Sequence, residues 1–223
     1  MPFGDMPIPD GDGEETDGLF DGCVLWLDSR WFTESYWWDV SPYRNNGIVH
    51  GAKWKENGFY FDGNGDYIDC GNDPIGNNED VTFVVWVYPE GGMYIISSGA
   101  QTSSVGYTII WNNGQFWFER KTETKVVNSG YFGSYEPKRW YHLGGVYNDA
   151  EGTLKVYING ELYDTFTTTT GSYLNEYPKL HIGKPNNSNI AYLKGKIGEV
   201  RIYNRTLSAE EMKILYKLTY RRF

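Results

Sequence analysis

One stretch of the sequence concentrates aromatic and polar side chains of the kind that contact sugars. Sugars present C–H faces that pack on tryptophan and tyrosine rings, and their hydroxyl groups need amide, carboxylate or guanidinium partners. Residues 29–46, a predicted loop that follows a predicted strand at 23–28, supply both kinds of group. Because successive side chains of an extended chain take opposite faces, Trp37 and Trp38 are not both expected to point inward. The candidate binding residues of this stretch are Trp31, Trp37, Trp38, Tyr43, Arg44 and Asn45.

A second aromatic set lies further along the chain, where Trp111 precedes two asparagines and Trp117 follows on the next predicted strand. This pair is the second candidate surface for a glycan or a protein partner. In both sets the tryptophans have an alternative role, which is to cover the edge of the core or to pack against a partner subunit. The sequence leaves the two roles open.

Little in the chain predicts catalysis or transition-metal binding. The histidines His50, His142 and His181 are far apart, and none has a cysteine or carboxylate at the spacing of a metal site. The sequence has no Gly-x-Ser-x-Gly elbow and no glycine-rich phosphate loop before a helix. We therefore expect a protein that is not an enzyme.

The charge balance limits the possible partners. The 223 residues carry a formal net charge of −9, which repels the phosphate backbone of nucleic acids, so nucleic acid is not an expected partner. The sequence has no apolar run of about 18 residues, so no membrane span is expected. Its acidic amino terminus lacks the apolar core of a signal peptide. The two cysteines can form one disulfide at most, and the sequence leaves their pairing open.

The elements that would position these side chains are strands. Aromatic residues make up 17% of the chain beside 27 glycines, a composition that favours pleated strands and tight turns. Residues 81–88 are apolar on both faces, which predicts a strand that is covered on both sides. The Asn159-Gly160 pair between two alternating segments predicts a two-residue hairpin. Regular short strands with turn signals predict an all-β fold, a two-sheet antiparallel jelly-roll sandwich.

Two segments depart from this strand pattern. Ser208 and Glu211 form a capping box, and Leu207 with Met212 forms a hydrophobic staple, so a short C-terminal helix is predicted from Ser208 to about Leu218. Residues 1–21 are rich in proline, glycine and carboxylates, a composition that does not fold alone. We predict an extended acidic arm at 1–21 that contacts other protein subunits or packs along its own domain, followed by a sandwich domain at 22–223.

Seven motifs in one order resemble the concanavalin A-like, laminin-G-like jelly-roll family, and together they cover about 23–218. The resemblance implies a two-sheet sandwich used mostly as a binding or structural module, often for glycans. Some members are glucanases, whose paired carboxylates lie in a Glu-x-Asp-x-x-Glu string that this sequence lacks. The motifs are VLWLD (24–28), DVSPYRNNGIVHGA (39–52), FDGNGDYIDCG (61–71), TFVVWVYP (82–89), RWYHLGGVYN (139–148), LKVYINGEL (154–162) and GKIGEVRIYNRTLSAEEM (195–212).

The resemblance also implies a calcium site near the strand ends. Its ligands would be the carboxylate of Asp28 and the backbone at Gly47, with an acidic residue of the last strand as the third. That third position falls on Gly198, next to Glu199, so one carboxylate of the family pattern is missing there.

Together these observations predict a non-catalytic surface module for adhesion or assembly, a structural protein of an extracellular or virion surface. The alternative is a glycan-binding lectin module of a cell-surface or secreted protein. A polysaccharide hydrolase is the third hypothesis, and it has the least support from the residues.

Overall fold

A computed structural model describes residues 18–75, 80–99, 105–171, 179–185 and 190–223, and strands dominate these residues. The helix α1 (Ala209–Thr219) follows the last strand and leads into a 3₁₀ turn at Tyr220–Arg222. In chain order the strands are β1 (Cys23–Phe32), β2 (Tyr36–Asp39), β3 (Gly47–His50), β4 (Lys53–Lys55), β5 (Gly58–Asp62), β6 (Tyr67–Asn72), β7 (Val81–Gly91), β8 (Tyr94–Ser98), β9 (Gly106–Asn112), β10 (Gln115–Lys121), β11 (Lys125–Asn128), β12 (Tyr141–Asn148), β13 (Thr153–Ile158), β14 (Glu161–Thr167), β15 (Thr169–Thr170), β16 (Lys179–Ile182) and β17 (Lys194–Tyr203).

Antiparallel pairing joins these strands into one network. One run consists of β14, β13, β12, β7, β17 and β1, and β5 and β4 extend from β17. The other run continues from β1 through β2, β3, β6, β16, β8, β9, β10, β11 and β15. The two runs end at β14 and β15, which only Thr168 separates along the chain. The all-β prediction is confirmed, and the division into two separate sheets stays a prediction.

The strand β1 connects the two runs. Its first half pairs with β17, and after an irregularity between Leu27 and Phe32 its second half pairs with β2. The sequence predicted a strand that ends at Asp28 and a loop over 29–46, which is wrong for 29–32 and for β2. These residues form strands because they pair with strands that are distant in the chain. Their own alternation of apolar and polar side chains is too short to predict a strand.

A main core lies between the two runs, and its fully buried aromatic residues include Trp37, Phe59 and Phe116. A second apolar cluster lies between α1 and the outer side of β7 and β1. Consequently β7 is buried on both sides, with Phe83 in the main core and Val84 in the second cluster. The prediction of a strand covered on both faces is confirmed.

The predicted hairpin turn and the predicted start of the C-terminal helix are also confirmed. Asn159 and Gly160 have φ angles of 53° and 79° and connect β13 to β14. At the start of α1, the Ser208 hydroxyl accepts from the backbone N–H of Glu211, and the Ser208 N–H donates to the Glu211 carboxylate at 2.7 Å. Within the described part of the chain, no helix has the length and apolar character needed to cross a membrane.

Of the arm predicted at 1–21, residues 1–17 lie outside the described residues. In its described end, Leu19 is buried against the second cluster, and the Arg205 guanidinium donates to the carbonyls of Gly18 and Asp21. Both cysteines are buried free thiols, and burial raises the pKa of Cys23 to about 12.

Candidate functional site

Seven neighbouring strands share a face that points away from the main core, here called the β6 face. It consists of the outward side chains of β2, β3, β6, β16, β8, β9 and β10. The inward residues of these strands, such as Trp37, Ile68 and Phe118, belong to the main core. Because side chains alternate along a strand, the intervening residues project from the opposite side.

The strand register identifies the side chains on this face. Residues directly opposite one another in an antiparallel pair lie on the same side of the sheet. Tyr36 pairs with Ile48, Ile48 with Asp69, and Asp69 with His181. The same chain of pairs continues from His181 through Ser97 and Thr108 to Glu119, and Ile110 pairs with Trp117. Two of the candidate residues from the sequence, Trp38 and Trp117, therefore lie on one face.

Aromatic and polar groups meet at the centre of the β6 face. The Tyr67 and His50 rings stack at 4.3 Å between centroids, and the His181 ring meets Tyr67 edge-on at 5.6 Å. The Lys184 ammonium lies 4.1 Å from the centroid of the Tyr67 ring. Asp69 lies beside this group, with His181 Nε2 3.9 Å from its Oδ1. His50 and Lys184 cover the two faces of the Tyr67 ring, so the centre presents the exposed His50 ring together with acidic and basic hydrogen-bonding groups.

The electrostatics keep the central carboxylate ionised. Burial alone would raise the pKa of Asp69, but the backbone N–H of Gly71 and the Lys179 ammonium, 3.3 Å from Oδ2, lower the pKa below its ordinary value. Burial lowers the pKa of Lys184. At neutral pH Asp69 is therefore a hydrogen-bond acceptor, which suits the orientation of a hydroxyl group.

The tryptophans mark the two edges of the β6 face. At one edge, the Trp38 ring stacks on Tyr36 at 5.1 Å. At the other, Trp117 packs against the exposed Tyr131 at 5.0 Å. Six strand spacings of about 4.8 Å separate β2 from β10, so the edges are about 29 Å apart. The two sets of candidate residues are therefore too far apart to contact the same sugar unit.

Two candidate residues do not face solvent. Trp37 is completely buried, and its indole N–H donates to the Asp28 carbonyl at 2.8 Å. Trp111 is 2% exposed and packs on Phe116. Their assignment to a binding surface is corrected, because the alternation of β2 and β9 turns both rings into the main core.

The other candidates of the 29–46 stretch lie near the edge of the face. Trp31 is half-buried, whereas Tyr43 and Arg44 are exposed. Asn45 has a structural role, because its side chain donates to the Val24 carbonyl and its backbone N–H donates to the buried Asp39 carboxylate. The Asp39 carboxylate thereby holds the turn that carries Tyr43 and Arg44.

The side chains at the implied calcium position do not fit a calcium ion in this arrangement. The buried Asp28 carboxylate accepts from Arg30 through both oxygens, at 2.9 and 2.7 Å, and Arg222 lies 3.3 Å from Oδ2. Burial raises the pKa of Asp28, but the Arg30 hydrogen bonds outweigh it and the pKa falls below its ordinary value. The neighbouring Glu199 is likewise paired with arginine, and Gly47 is buried. Arginine guanidinium groups thus occupy the place that a calcium ion would take beside these carboxylates.

No group of three or more histidine, cysteine or acidic residues suited to a metal ion occurs among the described residues. Calcium binding stays an expectation of the family resemblance, and the arginine pairs of Asp28 and Glu199 do not support it at this position.

The central residues of the face were missed as site residues. The sequence predicted no metal site at His50 or His181 and no binding role for Tyr67 or Asp69. The available signal was the i, i+2 spacing of Tyr67 and Asp69, which places both on one side of a strand. Their neighbours come from β3 and β16, and the sequence does not show this pairing.

A protein-family comparison agrees with this architecture. The model of the laminin-G-like group in the concanavalin A-like lectin/glucanases superfamily matches residues 62–213. The chain belongs to this superfamily. Comparison with curated protein sequences finds no match.

Solved structures with the same fold include two kinds of protein. A Trypanosoma rangeli sialidase in complex with sialic acid is 21% identical, with a TM-score of 0.68 over 90% of this chain and 33% of the sialidase. The binding domain of botulinum neurotoxin DC in complex with SialylT is 16% identical, with a TM-score of 0.67 over 90% of this chain and 52% of the other. The chain therefore spans about a third to a half of these proteins, and identities this low show the fold alone.

Proposed function

We propose that this protein is a non-catalytic, lectin-like module that binds glycans on the β6 face. The observation that carries the proposal is the strand register, which puts Trp38, Tyr67 and Trp117 on one face with Asp69 between them. A row of rings with intervening polar groups suits the alternating C–H faces and hydroxyl groups of an oligosaccharide. The separation of the two edges favours an extended glycan over a single sugar.

The fold supports the same class of function. The superfamily contains lectins. The structures of the sialidase and of the neurotoxin binding domain are complexes with sialic acid and SialylT, respectively. Those ligands belong to the neighbouring proteins. For this chain they support the general expectation of a saccharide ligand.

The spacing of carboxylates supports a binding role without hydrolysis. Glycoside hydrolysis by paired carboxylates needs a separation of about 5 to 9.5 Å. Asp69 and Glu119 both lie on the β6 face, but four strand spacings separate them, or about 19 Å. In addition, Glu119 is paired with Lys121 at 3.0 Å.

A glycan array tests the proposal directly. The wild-type chain should bind at least one class of oligosaccharide, and Tyr67→Ala should abolish that binding. The matched control is Tyr60→Ala, because Tyr60 is also half-buried on a strand under a lysine ammonium, that of Lys55 at 3.8 Å, but lies on β5. No binding to any glycan, or equal losses in the two variants, would refute the assignment to the β6 face.

We further propose that the network divides into two layers of a jelly roll, which are joined through β1. An extracellular or virion surface is the setting that we propose for an adhesion module of this kind. Assembly through the arm at 1–21 is the second role. Its support is the composition of residues 1–21, which does not fold alone. The bonds from Arg205 to Gly18 and Asp21 favour the other role of the arm, packing along its own domain. Deletion of residues 1–17, which leaves the buried Leu19 in place, should then reduce the oligomer mass measured by light scattering, and an unchanged mass would refute the assembly role.

A further inference from the structure

We propose that a pocket on the other side of the molecule is a second binding site, and that its ligand is an acidic saccharide of the uronic-acid type. This Trp140 pocket has a volume of about 350 Å³ and lies between the ends of β7 and β12 and the end of α1. Its lining includes Tyr88, Trp140, Phe223, Lys138 and Asn159. The inference is independent of glycan binding on the β6 face.

The wall of the pocket is aromatic. The Phe223 ring packs on both Trp86 and Trp140, at 4.8 and 4.7 Å between centroids, and Tyr88 lies 5.5 Å from Trp140. The indole N–H of Trp86 donates to the Thr219 hydroxyl at 2.8 Å, so this polar group is already satisfied. The wall therefore presents ring surfaces, which suit the C–H face of a sugar ring.

The rim of the pocket is positively charged in a protein whose net charge is −9. Lys138 and Arg139 both line it and both are exposed. Arg139 pairs with Glu136 at 2.9 Å, but both side chains are more than two-thirds exposed, so solvent weakens this pair. No ion pair holds Lys138 within the described ranges of the chain. These cations repel a cationic ligand and attract a carboxylate.

Backbone geometry fixes the polar groups of the rim. Lys138 and Asn159 both have positive φ angles, 63° and 53°. Residues other than glycine adopt such angles only at a cost in free energy. The Lys138 N–H donates to the Pro89 carbonyl, and Asn159 Oδ1 accepts from the His142 N–H. No acceptor in the described part of the chain pairs with the amide Nδ2 of Asn159, which leaves this atom as a donor for a hydroxyl or carboxylate. A ring wall, two cations and an amide donor together match a sugar that carries a carboxylate.

Isothermal titration of the full chain with trigalacturonate, and with neutral maltotriose for comparison, tests the proposal. Trigalacturonate should bind, with an affinity that falls as salt is added, and maltotriose should not bind. Trp140→Ala should weaken trigalacturonate binding by about tenfold through loss of the ring contact. Lys138→Gly should weaken it by about threefold and leave the thermal midpoint unchanged or higher, because glycine tolerates this backbone conformation.

Two controls separate this site from other surfaces. Lys55→Gln removes an exposed cation that lies over a tyrosine elsewhere, and it should leave the affinity unchanged. Tyr67→Ala should also leave it unchanged, so failure of the β6 face and failure of this pocket are distinguishable. The proposal is overturned if trigalacturonate does not bind, if maltotriose binds equally well, if Tyr67→Ala abolishes binding, or if Trp140→Ala and Lys138→Gly both retain the wild-type affinity.

Discussion

Replacement of His142 by phenylalanine should reduce the acid sensitivity of the folded protein. The His142 ring is 2% exposed and packs against Trp86 at 5.1 Å and Tyr216 at 5.8 Å. Among the residues that the structure describes, its Nδ1 atom has no hydrogen-bond partner. Burial, with a smaller contribution from the positive charge of Arg201, lowers the pKa of His142 to about 3. Phenylalanine retains an aromatic ring at this position without a titrating group.

The sign and size of the effect follow from proton binding. In the unfolded chain His142 has a pKa of about 6.5, so between about pH 6.5 and pH 3 the unfolded state binds a proton that the folded state does not. Stability therefore falls as the pH falls through this window and becomes constant below it. From about pH 7 to about pH 5, this residue alone lowers the free energy of unfolding by about 2 kcal/mol.

Urea unfolding of the wild type and His142→Phe across this pH range measures the effect. All other titrating groups are common to the two proteins, so their contributions cancel in the difference between the two curves. The difference should widen by about 2 kcal/mol between about pH 7 and pH 5 in favour of the variant. His50→Phe is the matched control, because His50 is exposed, and this variant should not reproduce that widening. Parallel curves for the wild type and His142→Phe would refute the reasoning.

Three further predictions concern stability and reactivity. Arg222→Leu should lower the free energy of unfolding by about 2 kcal/mol in urea titrations, because the buried Asp28 carboxylate loses one of its cations, whereas the exposed Arg221→Leu should change it by less than about 0.5 kcal/mol. In the folded protein Cys23 and Cys70 should resist iodoacetamide, because burial raises the pKa of both thiols. Mass spectrometry measures the labelling rate, and labelling of the folded protein as fast as that of the protein in urea would contradict this prediction. Addition of calcium chloride should leave the thermal midpoint unchanged, since arginines already pair with Asp28, and a rise that EDTA reverses would show a calcium site.

Several features were predictable from short stretches of sequence because their causes are local. The Asn159-Gly160 turn depends on the φ preferences of two adjacent residues, and the start of α1 depends on hydrogen bonds between Ser208 and Glu211. The order of the strand motifs was enough to indicate the superfamily, which the family comparison then confirmed over 62–213.

The candidate site was predictable only in part. Alternation indicated that Trp37 and Trp38 point to opposite sides, but it did not show which side is the core. That choice depends on the pairing of β2 with β1 and β3, which places Trp37 opposite Gly47 and Phe32. For the same reason the sequence did not separate the buried Trp111 from the half-buried Trp117.

The sequence by itself determined the strand-rich class, the hairpin and the helix cap, because each depends on residues a few positions apart. The tertiary structure decided which side chains share a surface. Asp69 and His181 are more than a hundred residues apart and become neighbours only through the register of β6 against β16. A shift of that register by one residue would turn every side chain of a strand to the other face. The contents of the β6 face are therefore a property of long-range strand pairing.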